Sequence, residues 1–234
     1  MNNYTQWIQD RCGKLTASEI YKIMGKGRNK DAYFGQLAET YMLSKVAEIL
    51  TLEPNNGGRT NTDAMDWGTA HESDAAEHFQ KQHPHLKLNY YGIMNPKFYP
   101  YNEYCGGSPD GVFEAASGDA GIIEIKCPYN STEHVKHLLV TEASALLDIA
   151  PEYYWQMVAN MLFTETRIGY FISYDPRMAL ERLQLHVVPI EPIEGHIELL
   201  KERIEEASKW ILTNVNILNE TIDAEHYSPD NRIV

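Results

Sequence analysis

The chain has 234 residues, 43% of them hydrophobic and 23% charged, an ordinary composition for a soluble globular domain. No run of about 18 apolar residues occurs, and residues 1–10 are polar and lack the apolar core of a signal peptide; a cytoplasmic protein without a membrane span is the expectation. The net charge of −13 excludes a simple cationic coat for DNA.

Thr16-Ala17-Ser18-Glu19 has the form of a capping box and opens a helix predicted to reach about Met24. A basic, glycine-containing loop follows at 25–30. Asp31 is placed to cap the next helix, in which Phe34, Leu37, Ala38, Tyr41, Met42 and Val46 recur at helical spacing. Pro54, Asn55, Asn56, Gly57 and Gly58 mark 52–62 as a loop. Residues 63–82 predict another helix, with Trp67, Ala70, Ala75 and Phe79 as apolar markers. Alternation predicts strands over 86–94 and 102–113, the second entering a tight turn, and a short strand over 121–127. Helices are predicted over 131–147 and 152–165 and strands over 168–174 and 183–190. An amphipathic helix from 193 to about 218 closes the chain, with a tail over 219–234. This order gives an α/β or α+β fold, a central mixed sheet flanked by helices, in a single domain whose core spans about 7–215.

The charge is uneven. Residues 1–30 carry six basic and two acidic side chains, whereas 191–234 carry four basic and ten acidic ones. A phosphate-handling front and an acidic outer face can coexist in one fold, although chance clustering on an acidic surface gives the same tally. The three cysteines, Cys12, Cys105 and Cys127, form neither a disulfide framework nor a metal-binding pattern and read as reduced, structural thiols. His83 and His85 lack a third soft ligand at suitable spacing, so they are not read as a metal pair.

The strongest local signal is Ser108-Pro109-Asp110-Gly111 followed by Glu124-Ile125-Lys126. Glu124 and Lys126, two apart on one strand, share a face; Ile123, Ile125 and Cys127 share the other, which should be core. A hairpin between the two strands would set Asp110 beside Glu124. Magnesium takes hard oxygen ligands and needs only one or two carboxylates plus substrate phosphate. A lysine beside such a site can act as a base or stabilise the charge on a pentavalent phosphate. Glu-x-Lys alone turns up roughly once in 300 positions, and a salt bridge on an exposed strand would explain it. The Asp motif at strand-to-strand spacing makes metal-dependent phosphodiester chemistry the better reading.

Pro109-Asp110 with Glu124-x-Lys126 looks like the PD-(D/E)xK nuclease signature. Leu15-Thr16-Ala17-Ser18-Glu19, Trp67-Gly68-x-x-x-Glu72, Ser108-Pro109-Asp110-Gly111, Glu124-x-Lys126-Cys127-Pro128, Gln156 and Tyr174-Asp175-Pro176-Arg177-Met178 together resemble the phage λ exonuclease and YqaJ-type viral recombinase family. The blocks cover most of the chain, roughly 7–188, in order. The resemblance implies a restriction-endonuclease-like core and Mg²⁺ as cofactor, two ions, with Mn²⁺ as a substitute. It implies Glu72, Asp110, Glu124 and the carbonyl of Ile125 as ligands, and Lys126 positioning or deprotonating the attacking water. Arg11, Ser18, Ser108 and Gln156 would match a pocket for a 5′-phosphate. Double-stranded DNA with 5′-phosphorylated ends would be the substrate, cut 5′→3′ to leave 3′ overhangs. A homotrimer ring, a single-strand annealing protein as partner, and a phage or prophage origin in a bacterial cytoplasm are implied with it.

Read without the family, some of these residues have plainer roles. Glu72 lies mid-helix, where a glutamate is usually solvated. Ser18 sits where a helix N-terminus attracts an anion, and Arg11 could add a bidentate contact, but Ser18 is equally just a small residue behind a cap. Gln156 is otherwise a surface amide. Arg28 and Lys30 could track the DNA backbone or merely solubilise a turn, and Asp175 could cap a turn or contact the site. Beside the exonuclease stand a restriction- or repair-type endonuclease on the same core and an inactive DNA-binding clamp; the intact Asp110, Glu124 and Lys126 set argues against the latter.

Overall fold

The structure, a computed structural model, describes residues 3–27, 32–55, 62–93 and 95–226. It begins with α1 (Asn3–Arg11), β1 (Leu15–Thr16), a 3₁₀ turn at Ala17–Glu19, α2 (Tyr21–Met24), α3 (Gln36–Thr51) and α4 (Asp63–Gln82). Then come β2 (Leu86–Tyr90), β3 (Tyr99–Asn102), β4 (Cys105–Gly107), β5 (Gly111–Ala115) and β6 (Ala120–Lys126). Helices α5 (Ser131–His137), α6 (Ala143–Ile149) and α7 (Pro151–Phe163) lead to β7 (Gly169–Tyr174), β8 (Leu185–Ile190) and α8 (His196–His226).

The main sheet has the order β2-β5-β6-β7-β8, with β6 and β7 parallel and the other pairs antiparallel. A small sheet, β1-β4-β3, stands apart from it. One face of the main sheet, through Ile122, Phe171, Val188 and Ile190, packs into the large core built with α2, α3, α7 and α8. The other, through Phe113, Ile123, Ile125 and Ile172, packs on Ala75, Ala76 and Phe79 of α4. The result is the mixed sheet flanked by helices that the sequence predicts.

Helix α4 occupies the predicted residues and is capped by Thr62, whose side chain accepts the Met65 N–H at 3.3 Å. Helix α7 opens on Pro151, whose missing N–H is harmless in a first turn. Tertiary packing overrides local signals elsewhere. Thr16 makes no side-chain cap. It pairs in β1 with Gly106 of β4, and its N–H donates to the Tyr41 hydroxyl at 2.9 Å, so the capping box does not form. The strand expected over 102–113 is two strands in different sheets, broken at Ser108-Pro109. The helix expected over 131–147 is two, α5 and α6, and the closing helix runs to His226, past the expected end near 218. The strand expected over 86–94 stops at Tyr90. Asp31, Arg28 and Lys30 lie outside the described residues, and α3 starts after Gly35. Among the described residues no helix is long and apolar enough to cross a membrane.

Candidate active site

Strand β6 supplies the centre of the site. The β5–β6 hairpin pairs Gly111 with Ile123, so Asp110, one residue before β5, arrives opposite Glu124. The ladder has ended there, and the N–H of Ile125 donates to Asp110 Oδ2 at 2.6 Å instead of to a strand carbonyl. Glu124, 1% exposed, points into the large core against α7. Its Oε1 accepts from Lys126 Nζ at 2.6 Å and from Gln156 Nε2 at 2.6 Å. Its Oε2 accepts from Asn160 Nδ2 at 3.3 Å. Lys126 Nζ also reaches Gln156 Oε1 at 3.3 Å and lies 4.7 Å above the Tyr153 ring. Nine of the thirteen residues of α7 are buried; a polar pair at i and i+4 inside such a helix exists to satisfy a buried charge.

Glu72 comes from α4, on the far side of the sheet, and is hydrogen-bonded by the Tyr90 hydroxyl at the end of β2. Burial raises the Glu72 carboxyl, the neighbouring Glu124 raises it further, and Tyr90 and Lys126 oppose the rise. Asp110 is pushed well above the usual carboxylate range by burial and by the fields of Glu124 and Glu72, against Lys126 and the Ile125 N–H. Burial disfavours the Lys126 charge, but Glu124 and Asp110 more than reverse this and hold it protonated. Three carboxylates thus face one ammonium. This surplus of buried negative charge, carried by hard oxygen donors, is what a divalent cation would neutralise. Among the described residues no three such side chains stand in coordinating geometry around one point; each carboxylate is held by its own protein donor.

The second half of the expected site assembles in part. The Trp7 indole N–H donates to Ser108 Oγ at 2.8 Å, and the Arg11 guanidinium lies 4.3 Å above the Trp7 ring. Arg11, Trp7 and Ser108 therefore form one stack leading to Asp110. Burial lowers the Arg11 pKa, against the fields of Tyr41, Glu19 and Glu48. Arg11 lines a pocket of about 530 Å³ between α1 and α3, shared with Tyr41 and with the Lys22–Glu19 and Lys45–Glu48 ion pairs. Ser18 is exposed on the 3₁₀ turn. Gln156 bonds to Glu124 and Lys126 and is thus placed among the carboxylates.

Sequence reasoning missed three residues. Asn160 carries no motif; only its place one turn beyond Gln156 on an otherwise apolar helix marks it. Its Oδ1 has no hydrogen-bond partner, and Gly107 of β4 faces it, where an added Cβ would come within 2.2 Å of that oxygen. Tyr153, beneath Lys126, and Tyr90, bonded to Glu72, carry no motif either. Asp175, left open between two roles, is fully buried in an ion pair with Arg177 at 2.8 Å. Burial would raise its carboxyl, but hydrogen bonds from Arg177 and Ser131 pull it down to about 2.

Asp110 and Lys126, half-buried around the buried Glu124, stand at the parallel centre of a five-stranded mixed sheet walled by helices, and the fold as a whole matches that of phage-type exonucleases. The chain belongs to the YqaJ-like viral recombinase domain family, whose model matches residues 6–167. The alkaline exonuclease LHK-Exo from Laribacter hongkongensis is similar over 94% of this chain and 98% of its own, at 25% identity and a TM-score of 0.72. A crystal structure of LHK-Exo in complex with dAMP gives 24% identity and a TM-score of 0.74 over the same shares. A phage-related exonuclease from Haemophilus somnus 129PT shares the fold at 16% identity, with a TM-score of 0.66 over 89% of this chain and 96% of that one. No curated protein gives a match to this chain.

Proposed function

We propose that this protein is a Mg²⁺-dependent 5′→3′ exonuclease of double-stranded DNA that leaves 3′ overhangs for phage-type recombination by strand annealing. The observation that carries the reading is the cluster of Asp110 and Lys126 around the buried Glu124, joined by Glu72 from a second element. Family membership and the exonuclease neighbours support it.

Glu72, Asp110, Glu124 and the Ile125 carbonyl would hold the metal, two Mg²⁺ ions with Mn²⁺ as a substitute. When bound, the metal supplies a polarised phosphoryl oxygen and an acidified water. The rest falls to the chain's own groups. Gln156 and Asn160 fix both oxygens of Glu124, so its carboxylate does not swing when substrate arrives. Lys126, held protonated, donates toward the attacking water and the charge that develops on the phosphate. Arg11, spread on Trp7, offers its guanidinium edge to an anion, and Ser108, bonded to the same Trp7, ties that anion site to Asp110. A 5′-phosphate held there with Ser18 would set the scissile bond one nucleotide in. Gln156 then works at the metal side of the pocket.

A homotrimer ring in a bacterial cytoplasm, threaded by the duplex and handing its product to a single-strand annealing protein, completes the proposal. The test is an end-labelled linear duplex with Mg²⁺, comparing 5′-phosphate with 5′-hydroxyl ends. Mononucleotides released faster from the phosphorylated end are expected, with no action on covalently closed circles. Intact linear duplex would sink the reading, and nicked or linearised circles would replace it with an endonuclease on the same core.

A further inference from the structure

We propose that Arg177 is a positioning residue: a clamp that fixes α4 and the chain leaving β6 against the end of β7, and so sets Glu72 against Glu124 and Lys126. The significance for catalysis rests on the reading above; the clamp itself rests on geometry. Strands β6 and β7 run parallel, with Lys126 level with Ser173. Two residues past that level stand Pro128 on one strand and Asp175, followed by Pro176, on the other. Proline has no N–H, so the ladder cannot continue.

Arg177 bonds across the gap. Its Nε and Nη2 donate to the two oxygens of Asp175 at 2.8 and 2.9 Å. Its Nη1 donates to the Tyr129 carbonyl at 2.9 Å and its Nη2 to the Pro128 carbonyl at 3.0 Å. The guanidinium plane lies 4.1 Å from the centre of the Trp67 ring, and Tyr129 meets that ring edge-on. Trp67 is five residues before Glu72 on α4. One planar cation therefore touches three segments, two of which lead directly into the site: the end of β7, the residues directly after Lys126, and the helix of Glu72.

Only arginine provides this combination. The fork takes Asp175 side-on while the remaining N–H groups reach two carbonyls, and the flat face stacks on indole; a lysine ammonium satisfies one of these at a time. The Arg177 side chain is 38% exposed, at the rim of the fold, whereas Asp175 is fully buried. The buried carboxylate anchors the clamp, and the guanidinium holds the other two segments to it.

Removing Arg177 outright would strand a buried charge and could unfold the chain, so the test uses Arg177→Lys, which keeps the charge, and Trp67→Leu, which keeps the ion pair. The full chain is followed by hydrogen–deuterium exchange without metal, and by the Mg²⁺ concentration giving half-maximal cleavage of 5′-phosphorylated linear duplex. Arg177→Lys is expected to speed exchange in 127–131 and 63–72 and leave α7 unchanged; Trp67→Leu is expected to speed it in 63–72 only. Both are expected to raise the half-saturating Mg²⁺ by about tenfold, the usual effect of losing a group that orients a ligand, with a smaller change in maximal rate. A role in stability alone would lower the melting temperature and leave the Mg²⁺ requirement untouched, and that result overturns the proposal. So does unchanged exchange in both segments. Failure of the unaltered chain to cleave would refute the nuclease reading, while the exchange pattern still decides the clamp.

Discussion

Among the described residues Lys126 is the cation set between Glu72, Asp110 and Glu124, and its environment decides its protonation. Burial pulls its pKa down, yet Glu124 and Asp110 outweigh burial and keep the ammonium charged. A group held this way is suited to donating hydrogen bonds and stabilising anionic charge. Lys126→Ala is expected to lower the single-turnover cleavage rate by about a thousandfold or more, since one preorganised donor is commonly worth two to three decades and the variant also loses a cation from among the carboxylates. Its affinity for duplex DNA should stay within a few-fold of the original. A filter-binding assay beside single-turnover kinetics checks both, and parallel loss of binding would mean that Lys126 serves substrate capture instead. Asn160 shows the same logic from the carboxylate side: its amide holds Glu124 Oε2, and the orientation leaves its own Oδ1 unpaired. Burying an unpaired carbonyl costs about 1–3 kcal/mol, which a neutral surface residue would not incur.

At the scale of elements, α5 and β7 share a buried polar chain behind the site. His134 and His137 both place Nδ1 at 2.8 Å from Ser173 Oγ, and His134 Nε2 lies 2.8 Å from the Leu183 carbonyl. The carbonyl can only accept, so His134 carries its proton on Nε2 and accepts the Ser173 hydroxyl at Nδ1. Ser173 then accepts the Nδ1 proton of His137. With both rings neutral, every donor in this chain meets an acceptor. Burial lowers the His137 pKa to about 4, with His134 and Lys126 adding repulsion; burial lowers His134 as well. Between the ordinary histidine value of 6.5 and about 4, the unfolded chain binds a proton that the folded chain refuses. Stability is therefore complete above that window and falls as the pH drops through it, by up to about 3 kcal/mol from His137. Melting temperatures measured from pH 7 to pH 4 should decline, and His137→Gln should decline less steeply. A flat profile for the unaltered chain would contradict this account. The rim of β4 makes a different demand: a Cβ at Gly107 would strike Asn160 and Phe163 of α7 on one side and Ala17 of the 3₁₀ turn on the other.

For the whole molecule the question is how a chain of net charge −13 handles DNA. The described cations near the site are few and mostly paired: Lys22 with Glu19, Lys45 with Glu48, Lys126 with Glu124. A ring of three copies, with the basic first thirty residues turned inward and the acidic α8 outward, would concentrate what positive charge there is along the duplex. The expectation is sedimentation at three times the chain mass and processive digestion that survives competitor DNA. A monomer at working concentration, equally active and distributive, would remove the ring and leave the nuclease site standing.

How much of this is legible in the sequence depends on the range of the interaction. Asp110, Glu124 and Lys126 could be grouped because a strand has a side-chain period of two and a hairpin has fixed register; both are local geometry. The long helices α3, α4 and α8 and the strands β2, β6, β7 and β8 of the main sheet were legible for the same reason, through their periodicity, whereas β5 was merged with β4 into one expected strand. Glu72 and the Arg11, Ser18, Ser108 and Gln156 set came only from a resemblance, since nothing near them in the chain says what they face. Thr16 exchanges its cap for a parallel partner more than eighty residues away. Asn160, Tyr90 and Arg177 acquire their meaning from groups 36, 18 and about 110 residues distant in the chain, by contacts that no local pattern encodes. The sequence by itself determined the strand that carries Glu124 and Lys126 and the hairpin that brings Asp110 beside them. Only the tertiary structure decided which helices steady it, because a buried charge must be satisfied by whatever donors the packing brings to it, wherever they stand in the chain.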